Sequence, residues 1–206
     1  MKLIVGSNSQ IGKSLLCNFI NRENVYVMSS NHLKLVNFIK ELDNKKRVQV
    51  LRFNPFEKFS PPSDVSCIIN CTGISDPKRN QDASTISEDY SEFLDFKIIN
   101  YLKKNSNICY FSMSTGGFFL GCGNYDDARK SREIKINLDS RDISYYFIKK
   151  LKAEVVHRKF NDLKIIDLRI FGFISEFLDL EANFFLSILM QSTIKGIKFK
   201  TTPSNF

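Results

Sequence analysis

The chain has no tryptophan, two histidines, five cysteines, five prolines and nine glycines in 206 residues. Each scarcity removes a class of protein. The cysteines, Cys17, Cys67, Cys71, Cys109 and Cys122, are too few and too irregularly spaced for a disulfide framework or a paired Cys-x-x-Cys metal site, and most sit in apolar runs, which points to a reducing compartment. His32 and His157 lack a partner at metal-ligand spacing, so no metal is expected, and His157, beside Arg158 and Lys159, is expected in solvent. No uninterrupted apolar run reaches the roughly 18 residues that would span a bilayer. The chain opens on a strand-like Lys2-Leu-Ile-Val5 and not on the charged region and apolar core of a signal peptide. A soluble cytoplasmic protein is the expectation.

What is present can bury a core: 43% of residues are hydrophobic, 13% aromatic and 25% charged, a balance unlike that of disordered or fibrous chains. The length fits one domain, or one domain and a fragment. Thirty basic against 22 acidic residues leave +8, spread along the chain as a solvated surface. No zinc-finger spacing or glycine-aromatic RNA-binding signature accompanies that charge, so nucleic acid is not an expected partner; small anions such as phosphates fit it.

Short apolar, β-branched runs recur at Leu3–Val5, Val25–Met28, Val48–Leu51, Val65–Ile69, Ile108–Ser112 and Ile165–Leu168. Helical spacing fills the segments Ile11–Arg22, His32–Leu42, Ile86–Lys104 and Ile143–Phe160 between them. Such alternation predicts an α/β fold with a doubly wound parallel sheet of Rossmann type, covered on both faces. Phe56 to Asp64 reads as a surface connection, and Gly116 to Asp139 as a long irregular insertion of the sort that borders a site. After Ser175, a helix around Ala182–Gln191 precedes a strand-like Ile197–Lys200.

The first strand runs into Gly6-Ser-Asn-Ser-Gln-Ile-Gly12 and then a helix, the context a dinucleotide-binding turn requires. Gly6 permits the tight turn and Gly12 lets helix and strand pack closely. The N–H groups of Ser9, Gln10 and Ile11 at the helix start would meet a pyrophosphate. An ordinary βα turn with two glycines is the plain alternative. At the end of the second strand, where an acidic residue about 20 residues beyond the glycines would hold the ribose hydroxyls of NAD, stands Met28-Ser-Ser-Asn-His32. With no carboxylate to repel a 2′-phosphate and with Ser29, Ser30, Asn31 and Lys34 as donors, NADP is favoured over NAD.

Tyr146 and Lys150 stand four residues apart, on one face of a helix, where a nearby ammonium would favour the phenolate and lower the phenol's pKa. Tyr145 and Lys149 have the same spacing, and the spacing alone does not choose.

From the glycine turn to about Phe173 the chain resembles the extended short-chain dehydrogenases/reductases, the family of nucleotide-sugar epimerases, dehydratases and ketoreductases. Gly6-x-x-Ser9-x-x-Gly12 resembles that family's three-glycine pattern, with Ser9 at the middle position. The tyrosine motif continues to Glu154, which matches the family in the Tyr146 register and not in that of Tyr145. The resemblance implies Tyr146 as proton carrier and Lys150 as holder of the nicotinamide ribose. It implies Thr115, in Ser112-Met-Ser-Thr115, as the hydroxyl that binds the reacting oxygen, and Thr72 and Gly73 as cofactor contacts. Leu168-Arg-Ile-Phe-Gly172 resembles a later Arg-x-x-Asn segment with glycine in place of asparagine.

The family's 4,6-dehydratases carry an acidic pair after the threonine; here Gly116-Gly117 follows, which leaves epimerisation or carbonyl reduction. The resemblance also implies a homodimer through the tyrosine helix. Residues 1–175 would form the NAD(P)-binding domain and 176–206 the start of a truncated or reduced lobe for a nucleotide-sugar. A non-catalytic dinucleotide-binding scaffold or sensor of the same fold is the alternative. The stripe Phe184, Phe185, Leu186 and Leu189 reads first as core.

Overall fold

Runs of β-branched and apolar residues pack as strands, and the sheet they form is parallel throughout, with Ile166 and Leu168 at one edge 41% and 37% exposed. The computed structural model describes residues 1–54, 56–73, 86–116, 145–182 and 185–199. Strands β1 (Lys2–Val5), β2 (Val25–Met28), β3 (Val48–Leu51), β4 (Cys67–Asn70), β5 (Cys109–Thr115) and β6 (Lys164–Ile170) lie in the order β3-β2-β1-β4-β5-β6. Helices α1 (Gln10–Phe19), α2 (His32–Lys40), α3 (Ile86–Leu102), α4 (Tyr145–His157) and α5 (Phe185–Lys195) accompany them. The strand order reverses between β1 and β4, the crevice where open α/β sheets bind ligands. The expected doubly wound Rossmann-type sheet is the one observed.

Alternation along the strands divides the interior in two. Leu3, Val5, Tyr26, Met28 and Ile68 pack with Leu94, Ile98, Ile99 and Leu102 of α3. Ile4, Val25, Val27 and Ile69 pack on the other face with Leu16 of α1, the adjoining Ile20, and Leu35 and Ile39 of α2. The connection after β3 contributes Phe59 to the first of these cores, 5% exposed.

Four features differ from expectation. β5 extends through Ser114 and Thr115, and β6 through Arg169 and Ile170, because the polar side chains there find buried partners described below. Residues 197–199 form no strand. Phe185 is 57% exposed, so the α5 stripe is not core; Leu186 and Leu189 are half-buried, and Phe184 lies outside the described residues. His157 is 3% exposed and not solvated. Gly117, Cys122 and the rest of the irregular stretch to Asp139 also lie outside the described residues.

Candidate functional site

The β1–α1 turn is built around its two glycines. Gly6 has φ +77°, and a Cβ there would stand 2.8 Å from the Cys71 carbonyl carbon. A Cβ on Gly12 would stand 2.6 Å from the Gly6 oxygen. Both contacts are with backbone, so neither position accepts a side chain. Ser7 pins the turn from inside, its Oγ donating to the Ile4 carbonyl at 2.7 Å while its amide donates to the Met28 carbonyl at 3.1 Å.

Ser9 is the N-cap of α1: its Oγ accepts the Gly12 N–H at 3.1 Å. The serine at the family's middle-glycine position thus satisfies one of the helix's free donors itself. The Gln10 and Ile11 amides remain as first-turn donors with no intrahelical acceptor. The Gln10 side chain reaches away, donating to the Phe173 carbonyl at 3.1 Å and tying the turn to the segment after β6.

Asn8 links this turn to the end of β2. Its Nδ2 donates to Ser29 Oγ at 2.7 Å and to the Asn31 carbonyl at 2.8 Å, while its Oδ1 is buried with no partner among the described residues. Asn31 caps α2 by accepting from the Lys34 amide at 3.0 Å. Of the four expected donors after β2, Ser29 and Asn31 act here as acceptors, through Ser29 Oγ and the Asn31 carbonyl and Oδ1, and Ser30 and Lys34 are exposed.

The β4 end meets the tyrosine helix. Asn70 Oδ1 accepts from both the Thr72 amide, 3.0 Å, and the Thr72 hydroxyl, 2.6 Å. The Thr72 carbonyl in turn accepts from Lys150 Nζ at 3.0 Å. Gly73 follows at φ +142°; a Cβ there would lie 3.4 Å from Lys150 Nζ and 3.5 Å from Tyr146 Cε2. The structure therefore brings Thr72, Gly73, Tyr146 and Lys150 together. The β4–β5 register pairs Asn70, the last residue of β4, with Ser112, and Thr115 ends β5 three residues further on. Thr115 is buried there, 8% exposed.

The phenol does not behave as the spacing predicts. Burial pushes Tyr146 up to about 12, where a lowered value was expected. Lys150 Nζ points its hydrogen bond at Thr72 and lies 5.9 Å from the Tyr146 ring centroid. Burial also lowers Lys150, against the opposing charges of Asp95, Cys71 and Asp167.

Below Lys150 the inner face of α4 stays polar. Glu154, 1% exposed, accepts from Ser114 Oγ at 2.6 Å, from Arg169 Nη2 at 2.6 Å and from Arg158 at 3.1 Å. Burial alone would raise its carboxyl, but the bonds from Arg169 and Ser114 and the charges of Arg169 and Arg158 hold it below the ordinary value. His157, one turn on, has Nδ1 2.7 Å from Asp167 Oδ1 and Nε2 2.9 Å from Asp95 Oδ2. Burial would lower this imidazole; the two carboxylates outweigh it and raise it to about 9. A cavity of about 190 Å³ between α3 and α4, lined among others by Asn70, Gly73, Asp95, Tyr146 and Lys150, joins this interior to the tyrosine.

These features fit a dinucleotide: a side-chain-free turn at the strand-order reversal, first-turn amides, the unpartnered Asn8 oxygen, and a lysine beside the β4 end. No family model and no curated protein matches the sequence. Solved structures match the fold. A dTDP-glucose 4,6-dehydratase from Bacillus anthracis, in complex with NAD, has a TM-score of 0.66 at 13% identity, covering 95% of this chain and 61% of that one. A UDP-N-acetylglucosamine 4-epimerase from Methanobrevibacter ruminantium has a TM-score of 0.67 at 12% identity, covering 95% and 63%. A partial-consensus L-threonine 3-dehydrogenase has 0.66 at 13%, covering 96% and 63%. The fold is shared with these three enzymes, a dehydratase, an epimerase and a dehydrogenase. At these identities the likeness is one of fold alone, and the chain spans about three fifths of the length of those chains.

Sequence reasoning missed Asn8, Asn70, Asp95, His157 and Asp167 as partners of the site. A signal was present: Tyr146, Lys150, Glu154 and His157 follow one another at helical spacing, which puts four polar residues on a single face.

Proposed function

We propose that the chain binds a nicotinamide dinucleotide across the carboxyl end of its sheet and acts on a nucleotide-sugar, by carbonyl reduction or epimerisation, through Thr115, Tyr146 and Lys150. The observation that carries the reading is the convergence of Tyr146 and Lys150 on the space where a Gly73 side chain would stand, at the strand-order reversal that also holds the side-chain-free Gly6–Gly12 turn. The turn amides and Asn8 would hold the phosphates and ribose, and Lys150 the second ribose. The bound nicotinamide would supply or take up the hydride. Tyr146, kept protonated by burial, is set to donate its proton to a carbonyl oxygen. The ammonium of Lys150 then stabilises the phenolate left behind until solvent returns the proton.

NADP is the form we favour, because residues 28–32 carry no carboxylate and Ser30 and Lys34 are exposed beside the β2 end. Residues 176–206 would begin a lobe for the sugar. Phe93 and Phe96 of α3, with Val155 and Val156 of α4, are 40–60% exposed and would form a homodimer face. Among the described residues no helix is long and apolar enough to cross a membrane.

Titration with NADPH and NADH, followed by nicotinamide fluorescence, tests the reading. Binding that favours NADPH, with Tyr146→Phe retaining affinity but losing at least about 100-fold in turnover of a keto-sugar nucleotide, is the expected result. Binding without turnover would favour the non-catalytic alternative. Absence of binding to either dinucleotide would overturn both.

A further inference from the structure

A chain of hydrogen bonds leaves α4 at His157 and returns to it at Lys150. His157 Nε2 meets Asp95 of α3, and the Tyr110 hydroxyl of β5 donates to the other Asp95 oxygen. Asn70 Nδ2 of β4 donates to the Tyr110 oxygen at 2.8 Å, which turns its Oδ1 to the Thr72 amide and hydroxyl. The Thr72 carbonyl accepts from Lys150. Asn70, Tyr110, Asp95 and His157 are all at most 9% exposed, and in such surroundings each bond is stronger than it would be in water.

An imidazolium at His157 satisfies every acceptor around it. Each ring nitrogen of His157 faces a carboxylate, and a neutral imidazole can donate only once. Tyr110 gives its proton to Asp95 and receives one from Asn70, so the arrangement closes when both aspartates are ionised and His157 is an imidazolium. The charged groups around the ring agree. Asp95 approaches from α3 and Asp167 from β6; the Tyr110 ring, from β5, lies edge-on with centroids 5.7 Å apart. On α4, Glu154 is offset by Arg169 and Arg158. Lys150 and His157 thus balance Asp95 and Asp167.

We propose that His157 is a positioning residue for Lys150: as an imidazolium it fixes Asp95, and through Tyr110 and Asn70 it aims the Thr72 carbonyl at the lysine. Loss of the His157 proton sets a ring lone pair against a carboxylate, frees that end of the chain and loosens Lys150. The functional meaning rests on Lys150 being part of the cofactor site; the coupling itself does not.

Two measurements separate these. With ¹⁵N-histidine and ¹³C-lysine labels, the protein is titrated from pH 6.5 to 10, using the exposed His32 as the second histidine signal and Lys150→Arg to assign the lysine. Both ring nitrogens of His157 should be protonated at pH 7. The Lys150 resonance should show an inflection at the His157 midpoint that disappears in Tyr110→Phe, which cuts the chain without removing a charge, and in His157→Gln. A singly protonated His157 at pH 7, or an inflection that survives Tyr110→Phe, overturns the coupling. In parallel, NADPH affinity should fall at least about fivefold across the same midpoint in the wild type and show no such midpoint in Tyr110→Phe. If no dinucleotide binds at any pH, the proposed function fails while the resonances still decide the coupling.

Discussion

One face of the sheet is packed by aliphatic side chains under α1 and α2, and the other combines an apolar cluster under α3 with a polar network under α4. Under α1 and α2 the buried side chains are aliphatic, among them Ile4, Leu16, Val25, Val27, Leu35 and Ile39, each at most 8% exposed. Under α4 the same sheet presents Ser114 and Arg169 to Glu154, and Asp167 and the Tyr110 ring to His157. Apolar burial is non-directional and insensitive to pH, whereas a buried polar network fixes one geometry and depends on the charge of every member. The Gly6–Gly12 turn therefore rests on the first kind of support and the tyrosine helix on the second.

The sharpest break falls on the first face. Gly12→Val places new carbon against the Gly6 oxygen and Ser7 Cα, 2.6 and 2.8 Å from the ideal Cβ, and backbone there cannot retreat without opening the turn. A loss of about 4 kcal/mol or more is expected in urea unfolding. Gly172→Ala is the control: nothing lies within 4 Å of its Cβ, and it should change stability by less than about 0.5 kcal/mol.

That first face was readable in the sequence. Strands β2 and β3 coincide with their apolar runs, and the glycine requirement at Gly6 and Gly12 is local, so a seven-residue window contains it. The second face was not readable, because its members are assembled by topology. Asp95, Tyr110, His157 and Asp167 come from four elements, and His157 sits in a basic run, His157-Arg-Lys159, whose plain reading is solvent. Asp167 within the apolar run Ile165-Ile-Asp-Leu168 was the residue most at odds with its surroundings, and a buried cation is the physical reason for it. The lowered phenol expected for Tyr146 failed similarly: spacing fixed the helix face, while burial and the Thr72 carbonyl fixed the proton and the ammonium.

The two faces should also separate by pH. Leu16→Ala should cost about 2–5 kcal/mol at any pH in the stable range. Glu154→Ala should cost about 3 kcal/mol near neutrality, because Arg169 is left beside a buried void. Its folded carboxyl is depressed, so that contribution is present above the unfolded value and is lost as pH falls through the folded one. His157 has the opposite sign. Its pKa is raised from 6.5 to about 9, so its stabilisation is complete below about 6.5 and disappears as pH rises through about 9. The shift corresponds to about 3 kcal/mol, measurable as an alkaline decline in unfolding free energy that His157→Gln lacks. A decline of equal size in His157→Gln would assign it to other groups.

The smallest effect is expected outside both faces. α5 is anchored by short local bonds, Ser187 Oγ to the Asp179 carbonyl at 2.8 Å and Gln191 Nε2 to the Leu180 carbonyl at 2.6 Å, and it exposes Phe185, Ile188, Met190 and Ile194 by 42–66%. An apolar side chain that stays in water in the folded state contributes little to folding, so Ile194→Lys should shift stability by less than about 0.5 kcal/mol. Leu35→Ala, on the fully buried stripe of α2, should cost about 2–5 kcal/mol in the same assay. The comparison is informative in either direction. Parity of α5 with solvent would make it an appendage to a sheet that is stable without it. A cost for Ile194→Lys near that of Leu35→Ala would mean that the helix is covered in solution, and a concentration-dependent unfolding midpoint would identify the cover as a second copy of the chain.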